Sequence, residues 1–264
     1  MSEIAVADSG HVRTITLNRP EVKNALSQEL AWAILAAVAE AAVDDNVWVI
    51  AVTGSGDAFC AGLDLSPDNA PYSPLTPMDT QLDDLGWVSR LFLDLRHGCD
   101  KPIIAGINGV AVGAGLSLAL AADIRIMARN ARLMAGYPRI GASPDGGMTI
   151  TLSQLIGYEQ AMRFLLENRT VTGDEALALG MVGEVVDDGS LATRLAEYCQ
   201  FIAERSPITA RLTKRGLREA TTSLNTESQL RFEVANIRRA FASDDAKEAR
   251  KAFFEKRAPV FKGK

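Results

Sequence analysis

The segment Thr53-Gly-Ser-Gly-Asp-Ala-Phe-Cys-Ala-Gly-Leu-Asp-Leu65 places small residues directly after the apolar run Trp48–Thr53. A second such segment, Ile107-Asn-Gly-Val-Ala-Val-Gly-Ala-Gly-Leu-Ser-Leu118, follows the apolar run Ile103–Ile107. Glycine and alanine leave main-chain N–H groups accessible, and a helix that begins just after them adds the positive end of its dipole. Two such N–H groups that converge on one carbonyl oxygen form an oxyanion hole. Each segment alone is equally typical of a tight structural turn.

Neither segment matches a nucleotide-binding motif. Phe59 and Leu118 stand where a dinucleotide fingerprint needs its third glycine, and no phosphate-loop lysine follows. Gly115–Ala119 approximates a nucleophile elbow, but that order of residues needs a downstream histidine. The two histidines, His11 and His97, lie upstream. A serine hydrolase is therefore not expected.

The composition predicts a cytoplasmic globular protein. The 264 residues are 47% hydrophobic and carry a formal net charge of −5, which argues against nucleic-acid and anionic-membrane partners. Three scattered cysteines favour neither a disulfide framework nor a zinc site. The first residues lack the pattern of a signal peptide, and glycines interrupt the apolar stretch 103–120, so a membrane span is not expected.

Repeated strand, turn and helix patterns predict a mixed α/β core. A helix is expected from its cap Ser27 to Val43 and another near 85–95. Short strands are expected at Val12–Leu17, Trp48–Thr53, Ile103–Ile107, Ile124–Met127 and Leu133–Met134.

Two later regions have a different character. The segment Ser66–Thr80 carries four prolines, which predicts no regular element and leaves two alternatives, a lid or a passive loop. Thr172-Gly-Asp-Glu175 is typical of a capping box that opens a short helix ending near Gly180. Amphipathic helices are then expected at 190–205, 207–221, 224–242 and 244–257, the last of which is expected to pack against another subunit.

The chain resembles the crotonase superfamily, also called the enoyl-CoA hydratase/isomerase family. The resemblance runs from Val12 to Gly263. Its motifs are Asn18-Arg-Pro-Glu-Val-Lys-Asn-Ala-Leu26, Ala58-Phe-Cys-Ala-Gly-Leu-Asp-Leu65, Lys101-Pro102 with Ile107-Asn-Gly109, Ala122-Asp-Ile-Arg125, Ala176-Leu-Ala-Leu-Gly-Met-Val182 and Phe253-Phe-Glu-Lys-Arg-Ala-Pro-Val-Phe261.

The resemblance implies an α/β fold with a crotonase-like spiral core of repeated ββα units over residues 1–187. It also implies a C-terminal helical trimerisation region over 188–264, which gives a trimer or a dimer of trimers. The implied substrate is an acyl-CoA thioester, with coenzyme A as part of the substrate and no separate cofactor or metal. The implied oxyanion donors are the N–H groups of Leu63 and Ala114.

The resemblance also implies five residues that bind coenzyme A. Lys23 lies where family members often have a basic residue that faces the nucleotide phosphates. Ala61, Asp64 and Leu65 lie in the strip that receives the adenine and the pantetheine, and Lys256 adds a charge from the last helix, of the same or a neighbouring subunit. Each lysine is equally consistent with a solvated surface charge.

The two glutamates of the family's hydratases are absent from this chain. Ser117 and Tyr137 stand at their positions. A hydroxyl that stays protonated near neutrality does not replace a carboxylate base, so efficient hydration is not expected.

Asp145, in the turn Gly141-Ala-Ser-Pro-Asp-Gly-Gly147, lies where many family isomerases carry their acid/base carboxylate. A Pro-Asp-Gly turn with aspartate as a helix cap is the structural alternative. A single carboxylate suits double-bond isomerisation, since it can remove a proton from one carbon and return it at another. The apolar residues expected to desolvate Asp145 are Leu133, Met134, Ile140 and Met148.

Three alternatives to an isomerase stay open. A residual enoyl-CoA hydratase is one, and a non-catalytic acyl-CoA-binding scaffold is another. In the family's aryl-CoA dehalogenases an aspartate at the place of Asp145 is the nucleophile, beside an aromatic residue at the place of Tyr137. Those enzymes have a histidine where this chain has Arg90, so the base for hydrolysis of an aspartyl ester is not evident.

Overall fold

The computed structural model describes residues 2–67, 69, 71–223 and 225–264. Its strands are β1 (Ile4–Ser9), β2 (Val12–Leu17), β3 (Val49–Gly54), β4 (Ala58–Cys60), β5 (Ile103–Ile107), β6 (Val110–Val112), β7 (Ile124–Ala128), β8 (Arg132–Met134), β9 (Val171–Thr172) and β10 (Glu184–Val186). Its helices are α1 (Gln28–Val43), α2 (Pro77–Leu82), α3 (Gly86–Leu93), α4 (Ala114–Ala121), α5 (Tyr137–Ile140), α6 (Met148–Ile156), α7 (Tyr158–Glu167), α8 (Gly173–Leu179), α9 (Leu191–Ala203), α10 (Pro207–Thr222), α11 (Thr226–Ala242) and α12 (Asp244–Glu255).

The strands form two sheets. The larger has the order β1-β2-β3-β5-β7-β10, and the smaller has the order β4-β6-β8-β9. β1 is antiparallel to β2, and the other neighbours in the larger sheet are parallel. β3, β5 and β7 lead into β4, β6 and β8 of the smaller sheet, each followed by helical structure. The expected mixed α/β fold with repeated ββα units and C-terminal helices is confirmed.

The middle of the larger sheet is fully covered. β5 is buried at every residue, because α9 packs on β3, β5 and β7. α1 packs on β1 and β2 and also on α3. Continuous burial explains why β5 reads as an unbroken apolar run instead of an alternating one.

Strong local patterns predicted their elements correctly. The strands Val12–Leu17 and Ile103–Ile107 are confirmed. Ser27 caps α1 by accepting a hydrogen bond from the N–H of Leu30 at 3.0 Å. Thr172 caps α8 by accepting from the N–H of Glu175 at 3.4 Å.

The four C-terminal helices are present as α9 to α12, with bounds that differ by a few residues from those expected. Leu224, the predicted first residue of the third, lies outside the described residues. The division into a core over 1–187 and a helical region over 188–264 stays a prediction.

One expectation needs correction. Ser66–Thr80 is not irregular throughout, because α2 begins at Pro77, where proline is tolerated at the first helical position. The hydroxyl of Thr76 caps this helix by accepting from the Asp79 N–H at 3.2 Å. Asp68 and Ala70 of the same segment lie outside the described residues. The helix expected near 85–95 is α3, which is followed by a π-helical turn over Asp94–Gly98.

No helix among the described residues is both long and apolar enough to cross a membrane. Cys60, Cys99 and Cys199 are buried free thiols. Within the described ranges, no three or more His, Cys, Asp or Glu side chains are grouped so as to hold a metal ion.

Candidate active site

Three turns lie side by side at one edge of the smaller sheet. β4, β6 and β8 are neighbours in that sheet and pair in parallel. Leu63, Ala114 and Tyr137 follow the ends of these strands by two or three residues. Because parallel strands end at the same edge of a sheet, the fold brings these three predicted residues to one place.

The N–H of Leu63 is left free by the pairing around it. Leu26 donates to the carbonyl of Gly62 at 2.7 Å, and Asp64 donates to the carbonyl of Leu26 at 3.1 Å. In a parallel bridge of this kind, the residue between the two partners directs its own N–H to the other side. No described residue accepts a hydrogen bond from Leu63. This N–H is therefore available to a ligand.

Ala114 is the first residue of α4, so its N–H is one of the donors that a helix leaves unpaired at its start. The N–H of Gly113 donates to Met134 at 3.1 Å, and the carbonyl of Gly113 accepts from Ser117 at 2.9 Å. The helix expected after the second glycine segment is thus confirmed. The one expected after the first segment is wrong, since the described residues there continue as loop until α2.

Two glycines set the distance between the Leu63 and Ala114 segments. Gly62 has a φ of 99°, and a Cβ added to it would lie 2.9 Å from the carbonyl oxygen of Val112. A Cβ added to Gly115 would overlap the carbonyl oxygen of Cys60. Each glycine lets one segment touch the backbone of the other, which holds the two free N–H groups in a fixed relation.

Asp145 joins this edge through two hydroxyl groups. The hydroxyl of Tyr137 donates to Oδ1 of Asp145 at 3.0 Å. Oγ of Ser117 donates to the main-chain carbonyl of Asp145 at 3.0 Å and lies 3.3 Å from the Tyr137 hydroxyl. Ser117 lies in the first turn of α4, three residues after Ala114. The predicted carboxylate is therefore tied to the helix that presents one of the two free N–H groups.

Burial sets the protonation behaviour of this cluster. It raises the pKa of the Asp145 carboxyl above its ordinary value, while the hydrogen bond from Tyr137 acts in the opposite direction. Burial also raises the pKa of Tyr137 to about 12, against a lowering by the Ser117 hydroxyl. Tyr137 thus stays a hydrogen-bond donor at neutral pH, and Asp145 is the group whose charge changes.

Val88 and Phe92, one turn apart on α3, pack behind the Asp145 turn. A Cβ on Gly146 would lie 3.0 Å from the Val88 side chain, and one on Gly147 would lie 2.5 Å from the Phe92 ring. Neither side chain was expected at the site. The available signal was their spacing of four residues, which puts both on one face of a helix.

The four residues expected to desolvate Asp145 differ in burial. Leu133 and Met148 are fully buried and Met134 is partly buried, but Ile140 is 51% exposed. α5 is a single turn that ends at Ile140, where Gly141 turns the chain with a φ of 66°. The desolvating role of these four residues stays a prediction.

Arg90 lies on the opposite face of α3 from Val88 and Phe92. Its guanidinium donates to the carboxylate of Asp83 at 2.9 Å and 3.3 Å and lies 6.0 Å from the centre of the Trp32 ring. The hydrogen bond to Asp83 raises the pKa of Arg90 further, so that Arg90 cannot serve as a base.

Four of the five residues predicted to bind coenzyme A are brought together. The N–H of Ala61 donates to the carbonyl of Lys23 at 3.0 Å, and Asp64 and Leu65 continue the same stretch. The side chains of Lys23 and Leu65 are exposed, and the Lys23 ammonium lies 4.0 Å from the carboxylate of Asp57.

The carboxylate of Asp64 is committed to Arg19. The ion pair measures 2.9 Å, and Arg19 also reaches the carboxylate of Glu3 at 3.2 Å and donates to the carbonyl of Ala25 at 2.7 Å. Arg19 thereby ties three segments together. Sequence reasoning missed it, although it lies inside the Asn18–Leu26 motif.

A family model described as Enoyl-CoA hydratase/isomerase matches residues 8–264. The chain belongs to the enoyl-CoA hydratase/isomerase family. It is 34% identical, over 96% of its length and 95% of the relative's, to a 1,2-epoxyphenylacetyl-CoA isomerase of Escherichia coli K12. It is 31% identical, over 89% and 84%, to 4-chlorobenzoyl coenzyme A dehalogenase-2 of an Arthrobacter species. A crystal structure of an enoyl-CoA hydratase from Bacillus anthracis superposes with a TM-score of 0.88 at 30% identity and covers 99% and 100% of the two chains.

These relatives confirm the crotonase fold, and their names denote three kinds of activity: isomerase, dehalogenase and hydratase. Membership of the family therefore does not by itself select a reaction. The selection depends on the side chains at the site, above all on Ser117, Tyr137 and Asp145.

Lys256, the fifth residue predicted to bind coenzyme A, ends α12 in an exposed position with a φ of 54°. No hydrogen bond or ion pair among the described residues joins its side chain to the Lys23 strip. A joint role of Lys256 with the other four residues stays a prediction.

Proposed function

We propose that this member of the enoyl-CoA hydratase/isomerase family moves a double bond along the acyl chain of a coenzyme A thioester. The observation that supports the proposal is the hydrogen bond between Tyr137 and Asp145, because Tyr137 follows β8 at the same sheet edge where Leu63 and Ala114 follow β4 and β6. A carboxylate next to an oxyanion hole is suited to enolate chemistry.

The proposed reaction consists of two proton transfers. The thioester oxygen accepts hydrogen bonds from Leu63 and Ala114, and Asp145 removes a proton from C2 of a 3-enoyl thioester. The electron pair of the broken C–H bond forms a dienolate, whose negative charge lies on the thioester oxygen. Asp145 then returns the proton at C4, the double bond comes to lie between C2 and C3, and the carboxylate is regenerated.

The rate enhancement that each kind of group in this site provides has a typical magnitude. One oxyanion donor contributes about a hundredfold to a thousandfold in rate, and a general base contributes about as much. Because the two steps transfer only protons, the proposal needs no redox cofactor and no metal. Coenzyme A enters as part of the substrate.

For coenzyme A we propose the strip of Lys23, Ala61, Asp64 and Leu65. The exposed Lys23 ammonium is suited to the phosphates, and Ala61 and Leu65 leave room beside the backbone for the pantetheine. The role of Asp64 is to hold the strip through Arg19. Lys256 contributes in this proposal only from a neighbouring subunit.

Hydration and dehalogenation receive less support. Neither Ser117 nor Tyr137 ionises at neutral pH to activate water, and the pKa of Tyr137 is raised to about 12. An aspartyl ester on Asp145 would need a base for its hydrolysis. Arg90, at the relevant position, is a paired cation on the far face of α3.

Self-association into a trimer or a dimer of trimers is part of the proposal, as is a cytoplasmic location. The support for association is an exposed row of apolar side chains on α11, formed by Leu230, Val234, Ile237 and Phe241. The support for the location is the set of free buried cysteines, which suits a reducing compartment.

The decisive test is hydrogen–deuterium exchange into acyl-CoA thioesters, followed by mass spectrometry. The panel includes 3-enoyl and arylacetyl thioesters, with the wild type, Asp145→Asn and, as a control, Asp174→Asn on the exposed surface. We expect exchange at C2 or C4 in the wild type and the control, and none in Asp145→Asn.

Other outcomes of this test are equally informative. Exchange that persists in Asp145→Asn would remove Asp145 from the reaction. Binding of every thioester with neither exchange nor a shift of the double bond would contradict the isomerase and favour a scaffold. Release of halide from a halogenated aryl thioester would favour the dehalogenase.

A further inference from the structure

Ser117, Tyr137 and Asp145 make three short polar contacts with only two hydroxyl protons. Tyr137 donates to Oδ1 of Asp145 at 3.0 Å, Ser117 donates to the carbonyl of Asp145 at 3.0 Å, and the two hydroxyl oxygens are 3.3 Å apart. Each hydroxyl has one proton to donate. While Asp145 is ionised, both protons are used on Asp145, and the contact between the two hydroxyls has no donor.

Protonation of Asp145 supplies the third proton that the three contacts need. With Oδ1 protonated, Asp145 donates to the oxygen of Tyr137, Tyr137 donates to Ser117, and Ser117 still donates to the Asp145 carbonyl. Each of the three contacts then has its own proton, and each group donates to the next one in the chain. The geometry therefore offers a donor for each of the three contacts when the acid is protonated, whereas the ionised state has one hydrogen bond to the carboxylate and one to the main-chain carbonyl of Asp145.

We propose that Ser117 and Tyr137 form a relay whose hydrogen bonds reverse direction when Asp145 takes the substrate proton, so that this proton stays at the site until it returns to the same substrate. The proposal rests on the isomerase function proposed above. Ser117 and Tyr137 act in it as positioning residues, because the proton is exchanged with the substrate only by Asp145.

The surroundings of the relay favour retention of the proton. Ser117 and Tyr137 are 3% and 4% exposed, so water has little access to either hydroxyl. Gly146 packs against the Ser117 side chain, and Val88 covers the same glycine from α3. Oδ1 of Asp145, a residue that is itself partly exposed, thus has a buried hydroxyl group as its hydrogen-bond partner.

The relay is also joined to the oxyanion hole. Ser117 and Ala114 belong to the same turn of α4, and the Ser117 N–H bonds to Gly113, the residue that precedes Ala114. The distance from Asp145 to the Ala114 N–H is thus fixed through one helical turn. In the proposal, this arrangement keeps Asp145 near the enolate while Asp145 holds the proton between the two transfer steps.

The experiment follows a substrate deuterium during turnover in ordinary water. A 3-enoyl-CoA carrying two deuterium atoms at C2 is converted to a small extent, and the deuterium at C4 of the product is measured by mass spectrometry. The enzymes are the wild type, Tyr137→Phe and Ser117→Ala. The control is Thr151→Val, which removes a buried hydroxyl whose partners among the described residues are the carbonyls of Gly147 and Met148.

We expect deuterium transfer to C4 in the wild type and in Thr151→Val. In Tyr137→Phe and Ser117→Ala the retained fraction relative to exchanged product should fall about fivefold, the ratio set by one hydrogen bond of ordinary net strength. Retention is the ratio of product with deuterium at C4 to product without it. Because only folded enzyme forms product, this ratio does not depend on how much of a variant is folded.

Two results would overturn the relay: no retention in the wild type, or equal retention in the wild type and Tyr137→Phe. Tyr137→Phe decides alone if Ser117→Ala does not fold, because it removes a single oxygen atom. Failure of the isomerase proposal is a separate outcome, since the wild type would then form no isomerised product.

Discussion

At the scale of single residues, glycines decide how closely the two oxyanion segments approach. Gly115 has no room for a side chain, because a Cβ would overlap the carbonyl of Cys60 in the neighbouring segment. Gly216, in the middle of α10, has no atom within 4 Å of the position that a Cβ would take. The same substitution at these two glycines therefore tests opposite effects.

We expect Gly115→Ala to lower the free energy of unfolding by about 1–3 kcal/mol, as overpacked cores do, and to lower kcat/KM by about a hundredfold. Gly216→Ala should stabilise the protein by roughly 0.5–1 kcal/mol, because alanine favours the helix. Urea unfolding with activity assays measures both. A Gly115→Ala enzyme of unchanged activity would contradict the proposed role of the Ala114 segment.

The ionisation of Asp145 gives a prediction for pH dependence. The carboxylate is the base, and burial raises the pKa of Asp145, so kcat/KM should fall on acidification at a higher pH than an ordinary aspartate would give. The hydrogen bond from Tyr137 to the ionised carboxylate lowers this pKa, since a bond to a charged acceptor is stronger than the neutral bonds of the protonated relay. Tyr137→Phe removes it, so the acid limb should move to higher pH. Profiles of kcat/KM for both enzymes measure the shift, and a limb that stays in place or moves down would refute this account.

At the scale of elements, Arg19 holds the coenzyme A strip to the core through Glu3, Asp64 and the carbonyl of Ala25. We expect Arg19→Gln to raise KM for acyl-CoA about tenfold, or about 1.4 kcal/mol, with kcat little changed. The control is Arg129→Gln, which loses its surface pairs with Asp174 and Asp187 and should keep the wild-type KM. An equal loss of kcat would show that Arg19 supports the reacting centre as well.

The elements also show what the sequence could predict. β2, β5 and α1 repeat their apolar pattern over five or more residues, and Ser27 and Thr172 mark helix starts by local chemistry. β4 and β6 have three residues each, too few for a period, and they take their place only by pairing in the smaller sheet.

The site residues likewise fall into those that local sequence predicts and those that only the tertiary structure reveals. Leu63, Ala114 and Asp145 were proposed from motifs within a few residues of sequence, and the family resemblance supplied the reason for choosing them. The packing of Phe92 on Gly147 and the ion pairs of Arg19 with Glu3 and Asp64 join residues that are far apart in the chain. Such contacts depend on the tertiary fold, so local patterns carry no sign of them.

At the scale of the whole molecule, α11 presents an apolar row to the outside. Leu230, Val234, Ile237 and Phe241 recur at intervals of three and four residues and are all exposed. The opposite side of the helix holds the buried Asn236, and α11 packs on α10. A row with this spacing is typical of a helix that packs on another helix.

We expect Ile237→Glu to convert the proposed trimer or hexamer into single chains, because an ionised carboxylate in the middle of a packed apolar row is desolvated without a partner. Light scattering coupled to size-exclusion chromatography measures the mass of each variant. Arg238→Glu, which changes the charge of an exposed neighbour and leaves the apolar row intact, should keep the mass of the wild type. If coenzyme A affinity falls together with the mass, the coenzyme A site depends on a neighbouring subunit, as the proposed role of Lys256 requires. A wild type that already has the mass of one chain would contradict both self-association and a role for Lys256 across an interface.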